Sequence, residues 1–203
     1  MEAFLTHTGR AIPLDRVDVD TDQIIPAVFL KRIERTGFGS GLFHSWRHLP
    51  DGGLNPDFIL NDPRYSDASV LISGRNFGCG SSREHAVWAL MDYGFRAVIC
   101  PSFAEIFHKN SMETGLIPVL VSDDEISELM RRTEATEGYQ LTVDLEKCEV
   151  RDDQGLVVNF VVHPDPETHQ FRRHCLLNGL DEIGLTLQNE SKIRQFENLR
   201  GYK

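Results

Sequence analysis

Residues 76–85, with the sequence NFGCGSSREH, gather small, polar and cationic residues that are suited to chemistry. Gly78 and Gly80 permit backbone angles closed to other residues, and they let a ligand approach the main chain. Ser81 and Ser82 follow as hydroxyl groups, and Arg83 can hold a carboxylate through two parallel hydrogen bonds. The segment therefore predicts a loop that binds an anion.

The elements on either side of this loop would position it. Residues 69–73 (SVLIS) predict a short buried strand before it. After it, Ser81 and Glu84 have the spacing of a capping box, apolar residues recur with helical spacing to Tyr93, and Gly94 predicts the helix end. Because a helix N-terminus favours negative charge, this junction is suited to carboxylate or phosphate. The alternative is that Ser81 only caps the helix.

The motif GCGSSREH at residues 78–85 resembles the signature of the swivelling domain of the aconitase superfamily. With NF before it and AVWAL after it, the motif is most similar to the small subunits of isopropylmalate isomerase. Three further blocks share the resemblance: VDTDQIIP to FLK at 19–31, YGFR to SFAEIF at 93–107, and FRRHC to GLTL at 171–187. The resemblance extends from about residue 3 to about residue 188.

The resemblance implies a hydro-lyase that removes water from a malate-type substrate and adds it back at the neighbouring carbon. Ser81, as an alkoxide, would take the proton, and Asp22 would orient the groups around it. Arg83 and Ser82 would hold a substrate carboxylate, with Thr21 at the edge of the site. The loop backbone that would stabilise the alkoxide belongs to Gly78, Cys79 and Gly80.

The resemblance also places residues 24–30 in a loop over the substrate, with Leu30 and Lys31 as binding residues. An apolar Leu30 suits an isopropyl group, whereas an arginine there would suit an extra carboxylate. Because Lys31, Arg32 and Arg35 lie nearby in sequence, homoaconitate, citraconate and dimethylmalate remain alternative substrates. An interpretation from another class is a non-catalytic anion-binding module, although the chain has neither a Walker lysine nor a strict GxGxxG motif.

The composition of the chain disfavours nucleic-acid partners and attachment to a membrane. The chain of 203 residues has 31 acidic and 21 basic side chains and a formal charge of −10, which disfavours binding to nucleic acid. No apolar run approaches membrane length, and the N-terminal residues lack the pattern of a signal peptide. We therefore predict a cytoplasmic protein without membrane attachment.

Metal sites have little support in the sequence. The four cysteines (Cys79, Cys100, Cys148 and Cys175) form no CxxC pair and predict free thiols. The run DVDTD at 18–22 lacks the glycine and distal glutamate of a calcium loop, and the pair His44 and His48 lacks a third ligand. We predict no metal on this chain. The resemblance implies a [4Fe-4S] cluster on a larger partner subunit, with which this chain would form a heterodimer or a higher hetero-oligomer.

The pattern of elements predicts an α/β fold. Strand and helix signals alternate from residue 69 to residue 133, which is typical of right-handed parallel crossovers. Ser102 is predicted to cap a helix over 103–114 that Gly115 ends, and Ser122 and Glu125 have the spacing of a second capping box, for a helix to about residue 133. Residues 171–177 and 180–187 predict two further helices, and the aromatic residues between 36 and 65 predict an irregular segment that is docked on the core. Residues 140–162 are strand-like around a turn at 152–155 and predict an added antiparallel layer. We predict one domain over 1–188, with a polar tail over 189–203. By resemblance, this mainly parallel central sheet belongs to a three-layer swivelling β/β/α fold.

Overall fold

The computed structural model describes residues 1–31 and 36–200, without the side chain of residue 31. Within these ranges the strands form one seven-stranded sheet with the order β4-β3-β2-β1-β5-β6-β7. The strands are β1 (Thr6–Leu14), β2 (Ala68–Ser73), β3 (Ala97–Cys100), β4 (Ile117–Leu120), β5 (Gln140–Asp144), β6 (Glu149–Arg151) and β7 (Val157–Asn159).

Strands β1 to β4 are parallel to one another. Their central members are apolar on both faces, and Val70, Leu71 and Ile72 of β2 are fully buried. Such continuous apolar runs are expected where helices or loops cover both faces of a parallel sheet. The predicted crossovers in this half are confirmed.

Strands β5, β6 and β7 continue the sheet from β1 in antiparallel pairing. The sheet curls until its two ends meet, because Leu120 and Val161 exchange backbone hydrogen bonds of 3.0 and 3.3 Å. Inside the curl lies an apolar cluster that includes Val70, Ile99 and Leu141. The predicted α/β architecture, with a parallel part and an antiparallel addition, is confirmed.

The helices begin and end largely where the sequence predicts. They are α1 (Thr21–Ile24), α2 (His44–Arg47), α3 (Glu84–Tyr93), α4 (Glu105–Thr114), α5 (Asp123–Ala135), α6 (Pro166–Asn178), α7 (Glu182–Leu187) and α8 (Glu190–Arg200). Glycine ends α3, α4 and α6, and Ser122 and Glu125 form the predicted capping box at the start of α5. Helix α6 starts earlier than the sequence predicts, because Asp165 caps it ahead of Pro166.

Two predicted helix caps are wrong. Helix α3 begins at Glu84, and residue Arg83 precedes it in an extended conformation without a side-chain cap. Ser81 is held outside the helix, because its carbonyl accepts hydrogen bonds from the Thr21 hydroxyl and from the Arg83 N–H. Ser102 does not cap α4, because its hydroxyl accepts from the N–H of Asn76.

The segment 36–65 is a series of short turns docked on the parallel half, as its aromatic residues predict. Phe38, Phe43 and Phe58 are buried in the core cluster beneath α3. In the described part of the chain, no helix is long and apolar enough to cross a membrane.

Candidate active site

The loop 76–83 lies beyond the carboxyl end of β2 and is fastened on one side to residues 18–22. The N–H groups of Gly78 and Cys79 both donate to the carbonyl of Val19, at 2.8 and 3.1 Å. In return, the N–H of Thr21 donates to the carbonyl of Cys79 at 2.8 Å. Two segments that are far apart in sequence therefore share one short stretch of backbone pairing.

The other side of the loop rests on the start of α4. The N–H of Ala104 donates to the carbonyl of Phe77 at 3.0 Å, and the Phe77 ring meets Phe107 edge to face. Gly78 has a φ of +79°, and a Cβ placed there would lie 2.1 Å from Phe107. A side chain at position 78 is therefore excluded both by the backbone conformation and by the aromatic ring.

Gly80 makes an equally close approach to Asp20. It has a φ of +88°, and an added Cβ would lie 2.1 Å from Oδ2 of Asp20. The other oxygen of Asp20 accepts from the N–H of Asp22 at 2.6 Å and caps α1. Asp20 thus links the glycine turn to the segment that carries Thr21 and Asp22. Sequence reasoning missed this role, although the run DVDTD drew attention to the same residues.

Ser81 and Ser82 are exposed. The described residues offer no hydrogen-bond partner to either hydroxyl, whereas the Ser81 main chain is fixed by Thr21 at 3.0 Å. The Ser81 hydroxyl is therefore accessible to a bound molecule, while its main chain is held in place. The structure therefore removes the capping interpretation of Ser81.

The loop N–H groups are unequally available. Those of Gly78 and Cys79 are used by Val19, so they cannot also stabilise an oxyanion. The N–H groups of Gly80, Ser81 and Ser82 meet no acceptor among the described residues. Of the three loop residues predicted to stabilise an alkoxide, only Gly80 has its N–H free for that role.

Arg83 forms an ion pair with Asp22 beside the serines. The arginine side chain is 18 % exposed and the aspartate side chain is 53 % exposed, so the pair opens to solvent on the aspartate side. Four of the predicted site residues, Thr21, Asp22, Ser81 and Arg83, are thereby brought together. A guanidinium in this position can bind a second carboxylate in addition to that of Asp22.

Cys79 lies in the same loop, but its thiol is held in the protonated form. Burial raises its pKa, and the negative charges of Asp20 and Asp18 add to the effect. Its Sγ donates to the carbonyl of Asp18 at 3.3 Å. Since the thiolate is the reactive form, this environment argues against a thiol nucleophile.

Leu30 lies in a short 3₁₀ turn, Ala27–Lys31, at the edge of the core. Leu30 is half-buried, and with Phe29 it packs against the cluster beneath α3. No described hydrogen bond joins it to the serine loop. The side chain of Lys31 lies outside the described part of the structure, so its assignment stays a prediction.

Comparison with known proteins decides the family. Residues 1–124 match the family model of the aconitase C-terminal domain, and residues 127–164 match the model LeuD_N. Residues 182–200 match the model of the C-terminal domain of 3-isopropylmalate dehydratase small subunits. A 3-isopropylmalate dehydratase small subunit of Brevibacillus brevis is 54 % identical over 197 residues, covering 97 % of this chain and 98 % of its own length. The chain belongs to the 3-isopropylmalate dehydratase small-subunit family.

A solved structure agrees with this assignment. The crystal structure of a 3-isopropylmalate dehydratase from Methanocaldococcus jannaschii aligns with a TM-score of 0.65 at 28 % identity. The alignment covers 95 % of this chain and 99 % of that chain. The family and the fold inferred from the sequence are confirmed.

The residues considered as metal ligands have other partners in this family member. Asp18 accepts from the side-chain amide of Asn76 at 2.8 Å, Asp20 caps α1, and Asp22 pairs with Arg83. The rings of His44 and His48 lie 4.2 Å apart without a third ligand. Within residues 1–31 and 36–200, no group of three or more histidine, cysteine or acidic residues could hold a metal.

A cavity of about 550 Å³ lies near the seam of the sheet, next to the start of the loop at Asn76 but not lined by the serines of the loop. Its wall includes Phe103, His108 and Val161, and it contains none of residues 76–83. The serines instead sit on an open surface. A small substrate needs burial of most of its surface for tight binding, and the exposed serines do not provide it in the described part of the chain.

Proposed function

We propose that this chain is the small subunit of a 3-isopropylmalate dehydratase. Together with a large subunit, it would interconvert 2-isopropylmalate and 3-isopropylmalate through 2-isopropylmaleate. The observation that carries the proposal is the Ser81 hydroxyl, which is exposed, unengaged, and anchored beside the Arg83–Asp22 pair. Its openness to solvent supports a partner that completes the site.

In the proposed reaction Ser81 is the base. Its alkoxide takes the proton from the carbon next to a carboxylate and becomes a hydroxyl, while the neighbouring carbon loses its hydroxyl group. In the addition step, Ser81 gives its proton to the carbon that lost the hydroxyl group, and hydroxide adds to the carbon that lost the proton, which regenerates the alkoxide and yields the isomer. A free serine is too weakly acidic for this role, so its alkoxide needs stabilisation. The free N–H groups of Gly80, Ser81 and Ser82, together with the Arg83 charge, supply it.

Arg83 also binds the substrate in this proposal. Its guanidinium and the Ser82 hydroxyl hold one carboxylate, and Asp22 keeps the guanidinium in place. Asp20 supports both, because it caps the helix that carries Asp22 and lies against Gly80. Thr21 acts through the Ser81 carbonyl.

The cysteines of this chain do not fit a [4Fe-4S] cluster. Cys100 and Cys175 are buried in β3 and α6, and Cys79 and Cys148 lie in separate turns. We therefore propose that the large subunit holds the cluster, which supplies the Lewis acid for the departing hydroxyl. A cytoplasmic location stays a prediction.

Reconstitution tests this function. The chain purified anaerobically by itself should be colourless, iron-free and inactive, and should gain dehydratase activity when co-expressed with the large subunit. Stoichiometric iron on the isolated chain would contradict the two-subunit proposal. A complex that contains its cluster but has no hydro-lyase activity would favour the alternative of a non-catalytic anion-binding module.

Leu30 tests the substrate. A half-buried leucine in the proposed substrate loop suits an isopropyl group better than a third carboxylate. Leu30→Arg should therefore move the ratio of kcat/KM values toward homoaconitate by roughly tenfold or more. Leu30→Met is the matched control, because it changes shape without adding charge. An unchanged ratio in Leu30→Arg would show that Leu30 does not face the variable group.

A further inference from the structure

Asp92, in the last turn of α3, holds two backbone N–H groups of a distant turn. Its Oδ2 accepts from the N–H of Gly37 at 3.0 Å and from the N–H of Gly39 at 2.8 Å. Hydrogen bonds to an ionised acceptor are stronger than neutral ones. A single carboxylate oxygen therefore fixes both ends of a three-residue segment on the helix.

The residue between the two glycines is inserted against the same helix. Phe38 is 1 % exposed, and its ring centroid lies 5.3 Å from that of His85 and 5.9 Å from that of Trp88. A Cβ on Gly39 would lie 2.8 Å from the backbone nitrogen of Tyr93. The segment 37–39 thus rests directly on α3, whose opposite end follows the serine loop.

Residues 39–41 in turn contact the proposed substrate loop. Residues Gly39–Gly41 form a 3₁₀ turn, and an added Cβ on Gly41 would lie 2.6 Å from Ile25 and 3.0 Å from Phe29. Phe29 is the neighbour of Leu30 in the turn Ala27–Lys31. Contact therefore runs from Asp92 through the turn at 39–41 to Phe29.

We infer that Asp92 is a positioning residue for Leu30. By fixing the segment 37–41 on α3, it sets where Phe29, and with it Leu30, stands relative to the serines at the other end of the helix. The inference rests on the proposed function, because only there does Leu30 contact the substrate. Asp92 would thus affect substrate specificity without touching the substrate, from the end of α3 that lies away from the serine loop.

The test is Asp92→Ala in the reconstituted enzyme. We expect KM for 3-isopropylmalate to rise about three- to tenfold while kcat stays within about twofold, since the base and its surroundings are untouched. Asp92→Asn keeps one oxygen acceptor and should restore most of the loss. Asp165→Ala is the matched control, because Asp165 also accepts a backbone N–H, from Thr168 at 2.8 Å, but at the start of α6.

A second measurement does not depend on activity. Amide hydrogen exchange in a peptide covering residues 36–41 of the isolated chain should be faster in Asp92→Ala and unchanged in Asp165→Ala. Unchanged exchange in Asp92→Ala would show that the attachment is not formed. Faster exchange with unchanged KM, or an equal rise of KM in both variants, would overturn the positioning role. An inactive wild-type complex would instead contradict the proposed function, while hydrogen exchange would still decide whether Asp92 holds the turn.

Discussion

Two arginine–aspartate pairs, one beside each half of the sheet, differ in their burial and in the number of their partners. In the antiparallel half, the side chain of Asp152 is 0 % exposed and accepts from Arg132 and from the Tyr139 hydroxyl, both at 2.8 Å. Two backbone N–H groups, of Gln154 and Leu156, complete its partners. In the parallel half, the side chain of Asp22 is 53 % exposed and pairs with Arg83 alone among the described residues.

The difference indicates that Asp152 stabilises the fold, whereas the pair of Asp22 and Arg83 remains accessible to a ligand. Burial opposes ionisation of Asp152, yet the hydrogen bonds from Tyr139 and from the backbone at Leu156 and Gln154 hold its pKa below the usual value. Burial, followed by Asp152 itself, raises the pKa of Tyr139. This group has no capacity left for a ligand. The pair of Asp22 and Arg83 retains that capacity, at the cost of a smaller contribution to stability.

Ser81→Ala should give the largest effect on catalysis. If Ser81 is the base, turnover in the reconstituted enzyme should fall by at least roughly 10²–10⁴-fold. Because the hydroxyl caps no helix, the free energy of unfolding should change by less than about 0.5 kcal/mol. Steady-state kinetics and thermal unfolding measure both. Ser127→Ala on the exposed face of α5 is the control, and near-normal turnover in Ser81→Ala would remove Ser81 from the mechanism.

Asp152→Ala should give the largest effect on stability. It leaves the Tyr139 hydroxyl without its acceptor and removes one of the two carboxylates that bind Arg132, which keeps Glu128, so the expected loss is about 1–3 kcal/mol. Turnover per folded complex should be unchanged. Denaturant unfolding measures the loss. Asp22→Ala is the counterpart, which should lower activity strongly and stability little, and the reverse result for either variant would break the comparison.

A smaller expected effect is a pH dependence of stability through His108, which lies where the two ends of the sheet meet. His108 of α4 contacts the carbonyl of Val162 through Nε2 at 2.6 Å. Burial lowers its pKa, and His163 and Arg172 act in the same direction, although the hydrogen bond to Val162 opposes them. In the unfolded chain His108 therefore binds a proton near pH 6.5, its ordinary pKa, whereas in the folded chain it does so only at lower pH. Stability should fall as pH decreases from about 6.5.

Thermal unfolding at about pH 7.5 and about pH 5.5 checks this expectation. His108→Gln should reduce the decrease in melting temperature between the two values. The decrease will not vanish, because burial also lowers the pKa of His169 and of His7. A decrease of equal size in wild type and variant would exclude His108 as a contributor.

Sequence patterns predicted those parts of the fold that depend on local chemistry. The glycine ends of α3 and α4 and the capping box at Ser122 are confirmed, because each depends on residues within one turn. The caps assigned to Ser81 and Ser102 failed for the opposite reason. Thr21 holds the Ser81 carbonyl outside the helix, and Asn76 occupies the Ser102 hydroxyl. Both partners are distant in sequence, so no local pattern reveals them.

The same distinction applies to the site. The motif at 78–85 and the pair Thr21–Asp22 led to residues that the structure brings together. Which N–H groups remain free could not be predicted, since it depends on the pairing of Val19 with Gly78 and Cys79. The contribution of Asp20 was hidden likewise, because it follows from a close approach to Gly80 in space.

The backbone hydrogen bonds between Leu120 and Val161 also affect the tendency of the chain to aggregate. A sheet with an open outer strand offers unpaired backbone groups to other chains and promotes aggregation. Here the last parallel strand is covered by residues that follow the last antiparallel one. This edge is thereby protected from pairing with other copies of the chain.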